Sequence, residues 1–220
     1  MTNISEVWNH YFSGRHDAVI TEGSAAAEIM HITGLSLISI GRFDEASTLL
    51  ISSALVRPNP EWYANACVAF LDADRASYAL TFALTGMSEF PDDANLCFNA
   101  GNVFTALGKH AEARDALERA VHADPTHWEA AMNLANTLRR VGELKAALTF
   151  YDLALSLNGD DVSGSIRTKL NKAVTLSDLG YDEAALNLFE NLANDGIVTS
   201  PEMDFNRATL NLKMGNYPIG

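Results

Sequence analysis

The stretch ANLCFNAGNVFTALGKHAEARDALERAVHADPTHWEAAMNLANTLRRVGELKAALTFYDLALSLNGDD, residues 94–161, decides the fold. It divides into two abutting copies of one 34-residue pattern. The first copy reads Cys97-x2-Ala100-Gly101-x2-Phe104, then Gly108, Ala113-x3-Leu117, Ala120 and Pro125. The second reads Ala131-x2-Leu134-Ala135-x2-Leu138, then Gly142, Ala147-x3-Tyr151, Ala154 and Gly159. Each copy holds two runs of helical period separated by a glycine. Small residues recur where the two helices would touch, so each copy reads as a closely packed antiparallel helical hairpin.

Outward from this stretch the spacing persists. Residues 27–59 carry Met30, Thr33-Gly34 and Leu37, then Gly41, Ala46, Leu50, Ser53 and Pro58. Gly41 can adopt the left-handed conformation that ends a first helix, and Asp44 and Glu45 suit the first turn of a second. Residues 60–93 keep the register through Tyr63, Ala66-Cys67, Phe70, Ala79, Ala83, Gly86 and Pro91, although Asp74 stands where the turn glycine belongs. Residues 94–127 and 128–161 are the two clear copies. Val162-Ser-Gly-Ser165 reads as an insertion, after which 166–199 resumes with Ala173, Leu176, Gly180, Ala185, Phe189 and Leu192. Residues 200–220 hold a further first helix, near 201–214, and the turn Gly215-Asn-Tyr-Pro218. Its apolar side, taken as Met203, Leu210 and Met214, lacks a partner helix and is expected to find cover from a symmetry mate, a second copy or disorder, which favours association. Residues 1–26, with Trp8, Tyr11 and Phe12 on one side of a short helix, read as a capping hairpin.

The pattern resembles the tetratricopeptide repeat. The resemblance implies an all-α, right-handed superhelical solenoid of helix–turn–helix repeats that holds a protein or peptide ligand in a concave groove, without a cofactor. Phe205–Tyr217 also resembles the last repeat of bacterial proteins that join such repeats to a glycosyltransferase-like domain, including those that modify flagellins. Two functions follow: a protein-binding scaffold, or the substrate-recruiting part of a protein glycosyltransferase.

Charge narrows the partners. The net charge is −13, and residues 1–93 contribute 4 basic against 12 acidic side chains. Nucleic acid would demand clustered Lys and Arg, so it is excluded as a partner. No run of about 18 apolar residues is present, so no membrane span is expected. Met1–His10 has neither a basic region nor an apolar run, which reads as cytoplasmic. Cys67 and Cys97 show no metal-ligand spacing and read as packed thiols. The 6 histidines are scattered, and no metal or catalytic constellation emerges.

One polar pattern remains. Numbering each repeat from its first residue, positions 4, 7, 8 and 11 face the interior, while 2, 6, 9 and 13 share the opposite face. Position 6 reads Asn65, Asn99, Asn133, Asn171 and Asn206, at spacings of 34, 34, 38 and 35. Position 9 adds Asn102 and Asn136, and Arg139 and Arg140 lie near the end of the same face. An amide offers both a donor and an acceptor, so a row of them can pair with an extended peptide backbone. The row is similar to the asparagine ladder of O-GlcNAc transferase. The same amides could instead satisfy local polar groups of the hairpins. Position 9 is Val68 and Val174 in two repeats, which argues against a dicarboxylate clamp.

Overall fold

The structure, a computed structural model, describes residues 13–15, 27–159, 161–194 and 201–215. The expected capping hairpin in 1–26 lies almost wholly outside them. Among the described residues there are eleven helices and no strand. They fall into two compact units, one ending at Ala123 and the other beginning at Asp124.

The first unit contains three hairpins: α1 (Ala27–Ser39) with α2 (Phe43–Val56), α3 (Pro60–Asp72) with α4 (Ala76–Glu89), and α5 (Ala94–Ala106) with α6 (His110–Ala123). Within it α1 packs on α3, and α3 on α5. The second unit contains α7 (Trp128–Arg140) with α8 (Leu144–Leu157), α9 (Val162–Asp178) with α10 (Asp182–Asn194), and α11 (Pro201–Lys213).

Helix starts are set by local chemistry. The Asn59 side chain accepts from the Glu61 amide at 2.9 Å with Pro60 in the first turn, and Asp93 accepts from the Leu96 amide at 2.8 Å. Both satisfy donors the helix itself cannot. Hairpin ends are equally uniform. In each of the five, one residue adopts positive φ and the next amide reaches back five residues, as Lys109 does to Phe104 and Tyr181 to Leu176, at 2.9 Å. Asp74 fills this role with φ 57°, and Arg75 then bonds Phe70 at 2.8 Å. The missing glycine therefore costs local strain of about 1 kcal/mol but does not change the turn.

Close approach explains the small residues. A Cβ on Gly34 would sit 2.6 Å from Leu50 Cγ, and one on Gly101 would sit 2.6 Å from Leu117 Cγ. Both glycines hold position 8, and both leucines lie across the hairpin on its second helix.

The Val162–Ser165 insertion is helical: Asp161 accepts from the Gly164 amide at 3.0 Å and starts α9 there, making it 17 residues long. Gly164 also leaves room for the Trp128 ring, which a Cβ would strike. One expectation is corrected, on α11. Met203 and Leu210 are buried at 3% exposure, in a cluster with Ala173, Leu186, Phe189 and Leu192, and Met214 packs against it. The apolar side chains that α11 leaves exposed are Phe205 and Leu212. The apolar face of α11 is covered by the preceding hairpin, at the same positions that Leu96 and Val103 bury on α5.

Candidate functional site

Every position-6 asparagine lies on the first helix of its repeat and is half-buried: Asn65 on α3, Asn99 on α5, Asn133 on α7, Asn171 on α9 and Asn206 on α11. Asn102 and Asn136 share that intermediate exposure. Interior positions on the same helices are closed, with Cys97, Ala100 and Phe104 at 0–3% exposure. The 3.6-residue period has thus put the amides at the margin between core and solvent.

Their partners divide them. Asn65, Asn99 and Asn206 have no side-chain hydrogen bond among the described residues, and each amide keeps its donors and acceptor for an incoming group. Asn136 is committed internally. Its Oδ1 accepts from the Tyr151 hydroxyl at 2.7 Å and from Asn171 Nδ2 at 3.0 Å, so one carbonyl ties α7, α8 and α9 together. Burial pushes the Tyr151 pKa upward against the opposing influence of Thr175, Arg139 and Arg140. The hydroxyl therefore stays protonated near neutrality and acts as the donor. The hydroxyl of Thr175, one turn beyond Asn171, donates to the Asn171 carbonyl at 2.8 Å.

The arginines also part company. Arg139 is half-buried and pairs with Asp178 of α9 at 3.4 Å, while Arg140 is exposed. The sequence reading missed the Tyr151–Asn136–Asn171 bracket. Its signal was a tyrosine at position 24 in the one repeat where position 9 is Asn and position 8 is Ala.

The gap between α9 and α11 differs. A pocket of about 110 Å³ is lined by Arg167, Leu170, Asn171 and Val174 of α9, Phe189 of α10, and Met203 and Asn206 of α11. Cys67 and Cys97 are buried free thiols, and burial raises the pKa of each, that of Cys67 to about 12. No group of three potential metal-ligating side chains occurs among the described residues. No described helix is long and apolar enough to cross a membrane.

Helix–turn–helix hairpins repeated within each unit define an α-helical repeat fold. Residues 98–162 match the tetratricopeptide repeat family. Tetratricopeptide repeat protein 8 of Caenorhabditis elegans is 28% identical over 95 residues, which are 42% of this chain. That match spans only 19% of the relative's length. Among solved structures, a tetratricopeptide repeat protein from Parabacteroides merdae superposes with a TM-score of 0.69 at 18% identity, over 86% of this chain and 74% of that one. MamA superposes with a TM-score of 0.64 at 17% identity, over 88% of this chain and 96% of that one. These likenesses bear on the fold, an all-α solenoid of helix–turn–helix repeats.

Proposed function

We propose that this chain is a scaffold whose first-helix face binds an extended segment of a partner protein. The observation that supports it most is the set of half-buried amides at position 6, of which Asn65, Asn99 and Asn206 have no internal hydrogen bond among the described residues. Asn133 and Asn171, with Asn102 and Asn136 at position 9, belong to the same face. Such amides bond peptide backbone with little regard to side chains, and the apolar positions beside them supply the rest of the affinity. Exposed Arg140 attracts an acidic portion of the partner, an effect that weakens as salt rises. Phe205 and Leu212, exposed on α11, are a surface for self-association. The reading carries a cytoplasmic location and no catalysis by this chain.

The test is a titration of a labelled peptide, selected on the wild-type protein from a random library, against the Asn65→Ala, Asn99→Ala, Asn206→Ala triple variant. Each neutral hydrogen bond contributes about 0.5–1.5 kcal/mol, so affinity should fall roughly ten- to a thousandfold with helicity unchanged. Equal affinities would refute the reading. A second reading, recruitment of substrate to a glycosyltransferase, rests on the resemblance of Phe205–Tyr217. Under it the same variant of the full-length protein should lose protein modification but keep donor hydrolysis.

A further inference from the structure

We infer that the pocket between α9 and α11 is a specificity socket, which takes one unbranched or γ-branched aliphatic side chain of the bound segment next to an acidic residue. The inference rests on the peptide-binding reading and adds to it a preferred ligand.

The starting point is a pair of substitutions between adjacent repeats. Where one repeat has Asn136 at position 9 and Tyr151 at position 24, the next has Val174 and Phe189. Asn206 on α11 is the positional counterpart of Asn171, the amide that donates to Asn136. With Val174 and Phe189 in place, the acceptor and the hydroxyl that close the α7–α9 step are both absent. Asn206 makes no side-chain hydrogen bond among the described residues, and the step holds open space instead.

The walls of that space define its occupant. Leu170, Val174, Phe189 and Met203 form an apolar floor, with Phe189 at 1% and Met203 at 3% exposure. Asn206 lines the same pocket, and its amide can hold the backbone beside an inserted side chain. At about 110 Å³ the pocket is smaller than the cavity of about 150 Å³ that admits benzene, which suits the four carbons of Leu or the chain of Met over an aromatic ring. The apolar part of the lining rewards a hydrocarbon, while Arg167 and the amide of Asn206 suit polar groups beside it.

Arg167 supplies the charge term. It is exposed, lines the pocket and has no ion pair among the described residues, whereas Asp204 on the facing helix is engaged by Arg207 at 3.1 Å. The complementary ligand group is a carboxylate adjacent to the aliphatic residue.

The test starts with selection of a random peptide library on the wild-type protein and on the Asn65→Ala, Asn99→Ala, Asn206→Ala variant. The expected result is enrichment of Leu or Met beside Asp or Glu on the wild type. In the selected peptide, replacing the aliphatic residue by Ala should weaken binding on the order of ten- to a hundredfold, and replacing it by Phe should also weaken it. Val174→Met, which fills the space with apolar atoms, should erase the distinction between the aliphatic and Ala peptides. So should Val174→Asn with Phe189→Tyr, which installs the bracket. Arg167→Gln should remove only the acidic preference, a change of about two- to fivefold that disappears in high salt. Circular dichroism confirms that each variant is folded. Peptides that need the asparagines but show no aliphatic preference would overturn the socket and leave the groove reading standing. Peptides that bind the asparagine variant as well as wild type, or no enrichment at all, would overturn both.

Discussion

The α7–α9 and α9–α11 steps are built on the same hairpin plan, yet they use their amides in opposite ways. In the first, Tyr151 and Asn171 both donate to Asn136, and the polar groups are consumed in holding the helices together. In the second, Val174 and Phe189 remove the acceptor and the hydroxyl, and Asn206 faces a pocket. The lesson is that repetition of a residue does not imply repetition of its role. An amide becomes available to a ligand only where its neighbours leave it without work inside the protein.

The largest expected effect is on a buried polar group that has no such bracket. His31 in α1 is 1% exposed, stacks on Trp62 with ring centroids 4.8 Å apart, and its Nε2 has no partner among the described residues. Burial lowers its pKa from 6.5 to about 4. The unfolded chain binds a proton here below 6.5 and the folded one does not until about 4, so stability falls as pH drops through that window. The loss should approach about 3 kcal/mol, read by denaturant melts across the range. His31→Leu should flatten that part of the profile, and an unchanged slope would show that the imidazole titrates freely.

Next comes the bracket itself. Asn136→Val removes the acceptor of the Tyr151 hydroxyl in a buried residue and should cost about 2 kcal/mol, while Tyr151→Phe should cost about 1 kcal/mol. Made together, they convert the closed step to the open type. The double variant should then be more stable than the two losses added, by about 1 kcal/mol, because removing both partners leaves less unsatisfied. Additive losses in that cycle would mean that the hydrogen bond contributes nothing.

The converse change should be the smallest. Val174→Asn with Phe189→Tyr ought to shift stability by less than about 1 kcal/mol, since the new bonds offset lost apolar burial. Its effect belongs to binding. A large destabilisation would show that the two steps are not interchangeable in shape.

Much of this was legible in the sequence because it depends on local spacing. Gly34 and Gly101 marked close helix approach, and Gly41, Gly108, Gly142 and Gly180 marked the turns, each with positive φ. Asp74 read as a departure because residue type was weighed above backbone freedom, which Asp shares in part. Val162–Ser165 read as an insertion because spacing alone cannot reveal that Asp161 caps a longer helix. The Met203, Leu210 and Met214 face read as lacking cover because the spacing of α11 alone does not show that α9 and α10 pack against it. The asparagine row was visible as a pattern. Its division into engaged and unengaged amides was not, because that depends on residue pairs such as Asn136 and Tyr151 on different helices.

The most direct measurement is a crystal structure of the protein with a library-selected peptide. The expected result is an extended peptide along the first-helix face, with the amides of Asn65 and Asn99 about 2.7–3.2 Å from its backbone N–H and C=O groups. A peptide seated on the second helices or the turns, with those amides facing only water, would contradict it.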